Sequence, residues 1–196
     1  MIRALLLLLL GVFGCSTAAI MIKASTTHPV LLSAARLLLS TLLLSPLFFR
    51  ALAKHRGTLT RRQLRDTTLP AVLLAAHFIS WTYGARMTLT AQASLIVNLA
   101  PVALPFILHA LIGETVTRRE IIGTIIAISG ITALSARDAF SGGGDLPGNI
   151  VCFGSMLFFA WYLALGRRNR DIPSIWLYVV PVYLQAGLLC AVAALP

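Results

Sequence analysis

Acidic residues are scarce in this chain, six against sixteen Lys and Arg, and none falls within its long apolar stretches. A pair of acid–base carboxylates, or a triad oriented by a carboxylate, therefore cannot be assembled there. Cysteine is rarer still, with three. Cys15, Cys152 and Cys190 each lie inside an apolar stretch, so no extracellular disulfide framework is expected. The four histidines, His28, His55, His77 and His109, lack metal-ligand spacing, and neither a metal nor a cofactor is expected. Period-two alternation is absent, which argues against a transmembrane barrel. The glycine run Gly142, Gly143 and Gly144 has no strand before it, so it reads as an outer turn and not as a phosphate loop.

Apolar residues are what the chain has in abundance. It is 58% hydrophobic and 11% charged, with a mean hydropathy of +0.89. A soluble domain of 196 residues could not hide that much apolar surface and still be coated with charge. Residues 4–22, 87–113, 121–136, 146–166 and 172–196 are uncharged; 29–49 contains only Arg36, and 69–85 only His77 as an ionisable group. A helix needs about 20 apolar residues to cross a bilayer. The expected fold class is therefore all-α, a polytopic membrane protein with seven transmembrane helices. Arg3, the leucine run and Cys15 loosely resemble a lipoprotein signal, but Phe13 is bulky where such signals want a small residue. The apolar run also continues to Ile22, so the segment reads as a first span.

Basic residues alternate in abundance between connections. Arg3, Arg50, Lys54, Arg56, Arg61, Arg62, Arg65, Arg118, Arg119, Arg167, Arg168 and Arg170 fall on one side, and Lys23, Arg86 and Arg137 on the other. Twelve against three is the positive-inside pattern, which predicts a cytoplasmic N-terminus. The surplus faces anionic lipid. No nucleic-acid partner is expected, because no aromatics interleave the basic loop 50–66.

Arg36 stands in "LLSAARLLLSTLLL" with no acid nearby. Helical spacing puts Ser33, Arg36 and Ser40 on one face. His77, Ser80, Trp81 and Gly84 share a face of the third span. Ser94, Asn98, Pro105 and His109 do so in the fourth, Ser155, Phe159 and Tyr162 in the sixth, and Tyr178, Pro181 and Gln185 in the seventh. Pro101 and Pro105 should leave the carbonyls of Val97 and Pro101 without helical donors. Each stripe has a plain reading, since hydroxyls bond back to their own helix and single polar residues join helices. Together they suggest a hydrated path lined by Arg36, Ser40, His77, Trp81, Asn98, Tyr162 and Gln185. Gly123, Ala127 and Gly130 form a small-residue face suited to helix packing.

"FGCSTAAIMIK" and "FGSMLFFAWYLALGRR" both open on Phe-Gly, end on a basic residue and precede a proline-started span, Pro29 or Pro173. With five spans, an odd number, to each repeat they would be inverted, as in secondary transporters. "NLAPVALPFILHALIGETVTRREIIGTIIAISGITAL" resembles the fourth and fifth spans of EamA-like members of the drug/metabolite transporter superfamily. "SAARLLLSTLLLSPL" is similar to their second span, and "GDLPGNIVCFGSMLFFAWYLALGRR" to the opening of their second repeat. The resemblance implies an inverted-repeat transporter fold of ten helices in two five-helix repeats around a central cavity. Residues 1–139 would be the first repeat and 145–196 a partial second one, an incomplete repeat truncated after the seventh span. The expected function is that of a plasma (inner) membrane carrier of small metabolites, amino acids or drugs acting by alternating access, and not that of an enzyme. The alternatives are an intramembrane enzyme using His77 and a hydroxyl, or a non-transporting fragment. The expected partners are a small-molecule substrate and the lipid bilayer, with a homodimer as a further assembly to test.

Overall fold

The computed structural model describes residues 2–55, 60–140 and 146–195, with the side chains of 2–4, 7–8, 131 and 134–140 left aside. Arg56, the glycine run Gly142–Gly144 and both terminal residues lie outside the described residues, as do the side chains of Arg3 and Arg137. Among those described, the chain is all helix: α1 (Ile2–Ala24), α2 (Pro29–Lys54), α3 (Arg61–Asp66), α4 (Thr68–Met87), α5 (Thr90–Val97), α6 (Ala100–Ile112), α7 (Arg118–Phe140), α8 (Leu146–Arg168) and α9 (Ile175–Ala193).

Local chemistry sets the ends of these helices. Pro29 opens α2, where its missing N–H costs nothing and its fixed φ suits the first turn. Thr60 and Gln63 cap α3 reciprocally: Thr60 Oγ1 accepts from the Gln63 amide at 3.3 Å, and Gln63 Oε1 from the Thr60 amide at 3.0 Å. Thr117 and Glu120 do the same for α7, with Glu120 Oε2 accepting from the Thr117 amide at 2.7 Å. Gly113 ends α6 at φ 72, a left-handed conformation suited to glycine, and its N–H donates to the His109 carbonyl at 3.0 Å.

The stretch 87–113 differs from one continuous span. Asn98 and Leu99 adopt ψ near 0 and separate α5 from α6, and Pro101 stands in the first turn of the new helix. There its missing donor is tolerated. The Val97 carbonyl still cannot receive a bond from residue 101, and Pro105, inside α6, leaves the Pro101 carbonyl without its partner.

Among the described residues, four stretches are long and apolar enough to cross a membrane: 29–54, 90–112, 146–168 and 175–193. A shorter apolar helix covers Leu9–Ala24. Large hydrophobic side chains stand exposed on α1, α2, α7 and α9, among them Phe13, Leu42, Ile126 and Leu188, all about half or more accessible. A monomeric soluble protein does not expose apolar surface on this scale; a membrane protein presents it to lipid. The chain is a multi-pass helical membrane protein.

At the centre is α4, packed against α8, α9 and α2, with α1 and α5 beside it. It crosses α8 at very short range. A Cβ built on Gly148 would sit 2.7 Å from the Met87 carbonyl carbon, and one on Gly84 would sit 2.6 Å from Cys152 Sγ. In the same way, Gly187 of α9 lets Leu38 of α2 approach to 2.8 Å of its missing Cβ. By contrast Gly123 and Gly130 are exposed, and a Cβ on either would meet nothing within 4 Å; Ala127 is half-buried.

The contacts fix the direction of each helix. Arg86 Nε donates to the Ile22 carbonyl at 3.2 Å and Lys23 Nζ to the Thr88 carbonyl at 2.8 Å, so α1 and α4 end side by side. Their neighbours Gly84 and Gly148 put the start of α8 at the same end. At the opposite end Arg167 of α8 pairs with Glu114, just past α6, at 3.1 Å. That end gathers Arg50, Lys54, Arg61, Arg62, Arg65, Arg118, Arg119, Arg167, Arg168 and Arg170. The charge asymmetry of the sequence is thus an asymmetry in space. On the sparse side, Arg86 and Lys23 serve as C-terminal caps, satisfying carbonyls that helix ends leave open.

Candidate functional site

Ser33, on α2, is fully buried and ties that helix to α4. Its hydroxyl donates to the Phe78 carbonyl at 3.0 Å and lies 3.0 Å from Thr82 Oγ1. One turn further along α2 comes Arg36, about 10 Å from the helix start at 1.5 Å per residue. Its guanidinium carbon lies 5.0 Å from the centre of the Phe78 ring. Its Nη1 is buried and meets no hydrogen-bond partner among the described residues.

From Phe78 an aromatic ladder runs through the bundle. His77 stands edge-on to Phe78 at 5.4 Å, stacks on Phe159 of α8 at 4.6 Å, and Phe159 stacks on Tyr162 at 5.9 Å. The structure therefore assembles Arg36, His77 and Tyr162 into one layer, with Phe78 and Phe159 as the links. Phe159 shares a helical stripe with Tyr162 in the sequence. Phe78 does not stand out there, since a phenylalanine in an apolar span carries no signal until its neighbour is known.

His77 is also a clasp between helices. Its Nδ1 is 3.0 Å from the Ser155 carbonyl and 2.8 Å from Ser155 Oγ, while Ser155 Oγ donates to the His77 carbonyl at 3.0 Å. A carbonyl can only accept, so Nδ1 carries the proton, shared between the two Ser155 oxygens. The serine proton is committed to the backbone. Ser155 has the distance of a nucleophile beside a base, but it is 0% exposed and its hydroxyl points its proton away from the imidazole. The pair joins α4 to α8 and lacks the access that hydrolysis requires.

The other sequence-selected residues lie elsewhere. Ser40 Oγ bonds back to the Arg36 carbonyl at 2.7 Å. Trp81 is buried in an apolar cluster with Ala19, Ile22, Ala93 and Cys152. Asn98 is exposed at the α5–α6 break, where its Nδ2 donates to the Ser94 carbonyl at 2.7 Å. Gln185 Nε2 donates to Thr67 Oγ1 at 2.8 Å and to the Leu64 carbonyl at 3.3 Å, fastening α9 to the junction of α3 and α4. A buried polar group not singled out in the sequence also emerges at the sparse end. Thr88 Oγ1 lies 2.7 Å from Gln92 Oε1 and 2.7 Å from Asn149 Oδ1, linking α4, α5 and α8. Its members are scattered single polar residues, and only the fold reveals that they meet.

Magnitudes decide what Arg36 wants. A central arginine costs roughly 2.5–3.5 kcal/mol or more to place in a bilayer, and an unsatisfied buried donor adds about 1–3 kcal/mol. A cation–π contact returns roughly 0.5–2 kcal/mol. Phe78 therefore offsets only part of the cost, and an anionic oxygen at Nη1 is the chemistry that would supply the rest.

No curated protein and no solved structure matches the chain. The model of the EamA-like transporter family, however, matches residues 2–136, which cover α1 to α6 and nearly all of α7. With more than half of its length matched, and with its apolar helices, the chain belongs to the EamA-like transporter family of the drug/metabolite transporter superfamily.

Proposed function

We propose that this protein carries small metabolites, amino acids, drugs or related solutes bearing an anionic group across the plasma (inner) membrane by alternating access. The observation that carries the reading is Arg36: a cation within a span, its Nη1 buried and unpartnered among the described residues, on one wall of an aromatic layer. A carboxylate on a solute would meet that donor, and Phe78, His77, Phe159 and Tyr162 would flank its apolar part. Ser40, Trp81, Asn98 and Gln185 are proposed to act on the path in conformations that open the bundle. Gly123, Ala127 and Gly130 are proposed as a face on which a further helix packs.

Seven spans fit this reading. They are α1, α2, α4, the broken pair α5–α6, α7, α8 and α9, with α3 lying outside the bilayer. α4 can be the more polar because protein surrounds it. The basic end would be cytoplasmic and would hold the N-terminus. An inverted repeat is supported by α2 and α9, each preceded or opened by a proline and packed together. Gln185 beside Thr67 and Cys190 beside Ala75 make α9 run with α4, and hence against α2, as inverted counterparts would. Residues 145–196 would then be the opening helices of a second repeat that follows the one in 1–139.

The test is uptake of a radiolabelled panel into proteoliposomes. Small carboxylates should accumulate chemically unchanged and faster than their amide analogues, with empty vesicles as the baseline. Uptake no faster than in empty vesicles across the panel would refute the carrier. Recovery of altered solute would favour an enzyme.

A further inference from the structure

At the basic end a cavity of about 460 Å³ opens between α3, the first turn of α4 and the last turn of α8. Arg62, Arg65 and Arg168 line it together with Asp66 and Asn169, and Leu69, Pro70 and Leu165 complete the wall. Three arginines and one aspartate thus share the lining. Asp66 is engaged by Arg62, at 3.9 Å across an exposed contact, which is worth little in itself. Arg65 and Arg168 have no ion-pair partner among the described residues.

Topology alone does not require this arrangement. Positive-inside sorting counts charges near the span ends and is indifferent to where they point. Here residues a hundred positions apart, from a short capped helix and from the end of α8, converge on one concavity. Leu69 and Leu165 belong to the terminal turns of their helices, so the cavity lies where hydrocarbon gives way to headgroups. Its lining combines both characters, with arginines beside Leu69, Pro70 and Leu165.

We propose that this cavity is a binding site for an anionic phosphate group of the kind an acidic phospholipid presents. Arg65 and Arg168 are its cationic ligands, Asn169 a neutral donor, and Leu69, Pro70 and Leu165 the surface against the glycerol and first acyl carbons. The planar fork of arginine matches phosphate oxygens two at a time, and basic pockets at helix ends on the cytoplasmic side are where such headgroups bind. The site lies apart from the Arg36 layer. It rests on the membrane placement proposed above but is independent of transport.

Native mass spectrometry of the full chain in a neutral detergent, supplied with phosphatidylglycerol and phosphatidylcholine, tests this. Wild type retains phosphatidylglycerol preferentially. The double variant Arg65→Gln/Arg168→Gln binds it about thirtyfold more weakly, on the scale of two interfacial arginines. Arg65→Lys/Arg168→Lys recovers part of that loss. Arg50→Gln/Arg61→Gln removes the same charge outside the cavity and leaves retention close to wild type. Displacement of the lipid by inorganic phosphate supports the site with soluble phosphate as a source, and no displacement supports it with lipid as the source. Equal retention by wild type and the cavity variant overturns the proposal, as does an equal loss in the control pair. Flux is not part of the readout, so failure here is distinguishable from failure of the carrier.

Discussion

Replacing Gly148 by alanine tests the crossing on which the whole bundle is centred. The added Cβ would stand 2.7 Å from the Met87 carbonyl carbon and 2.8 Å from its oxygen. Real Cβ contacts essentially never fall under 3.0 Å, and the obstacle is backbone, so no rotamer change relieves it. The start of α8 must move away from the end of α4 by several tenths of an ångström. Such overpacking typically costs about 1–3 kcal/mol. The shift also pulls on Thr88, Gln92 and Asn149, whose contacts are all 2.7 Å or so across the same junction. Against this stands the gain in helix propensity, at most about 1 kcal/mol for glycine to alanine, and less in a first turn. The net expectation is a loss of roughly 1–2 kcal/mol. Gly123→Ala is the internal control. Its Cβ meets open space, so only the propensity gain remains. Unfolding in detergent, followed by circular dichroism against a denaturing surfactant, gives the comparison. A Gly148→Ala protein as stable as wild type would refute the close crossing, as would equal destabilisation of the two variants.

Other perturbations follow from the same geometry. Ser155→Ala removes two hydrogen bonds between α4 and α8 and should lower stability by about 1–2 kcal/mol; a fluorophosphonate probe should not label wild-type Ser155, and labelling would reopen the hydrolase reading. Arg86→Ala frees the carbonyls of Ile22 and Thr27 and should speed amide exchange at the end of α1, measured by mass spectrometry, while exchange in α6 stays unchanged. The Thr117 hydroxyl and amide hold the Glu120 carboxyl below the usual carboxylate range. Its folded-state pKa is lowered, so the cap is intact at neutral pH and is lost as pH falls through that lowered value. Exchange at the start of α7 should therefore rise only in acid, and a rise near neutrality would contradict the cap. In a Cys15→Ser background, cysteines introduced at Thr60 and Thr26 should react with a membrane-impermeant maleimide from opposite sides, Thr26→Cys alone in intact cells.

Much of the fold was legible because membranes impose simple demands. Apolar runs near the length of a bilayer, interrupted by basic connections, account for α1, α2, α4, α8 and α9 almost residue for residue. Pro101 was harder. A proline in an apolar run can kink a helix or open a new one, and the choice depended on Asn98 and Leu99 taking up a turn that propensity alone does not dictate. The site was legible only in part. Periodicity identifies which residues share a face, but it does not say towards what the face is turned. Arg36, His77 and Tyr162 meet because α2, α4 and α8 turn those faces to one another. Trp81, one turn from His77, is directed instead at α1 and α5 by the close approach at Gly84. Gln185 is drawn to Thr67 because a long amide finds the open end of α4. Small residues show the same limit: Gly123 and Gly130 have the spacing of a packing face, yet the tight contacts lie at Gly84, Gly148 and Gly187.

Arg36 is proposed to hold the anionic group of a transported solute, and replacing it is the decisive perturbation. Uptake of the best carboxylate from the panel should be compared in proteoliposomes of wild type, Arg36→Lys and Arg36→Leu, after size-exclusion profiles establish equal folding. Leucine fits lipid and protein alike, so a merely structural arginine can be lost at no functional cost. If Arg36 grips the solute, Arg36→Leu is well folded and abolishes uptake, whereas Arg36→Lys keeps part of it, having the charge without the planar fork. Uptake by Arg36→Leu at the wild-type rate would contradict that role.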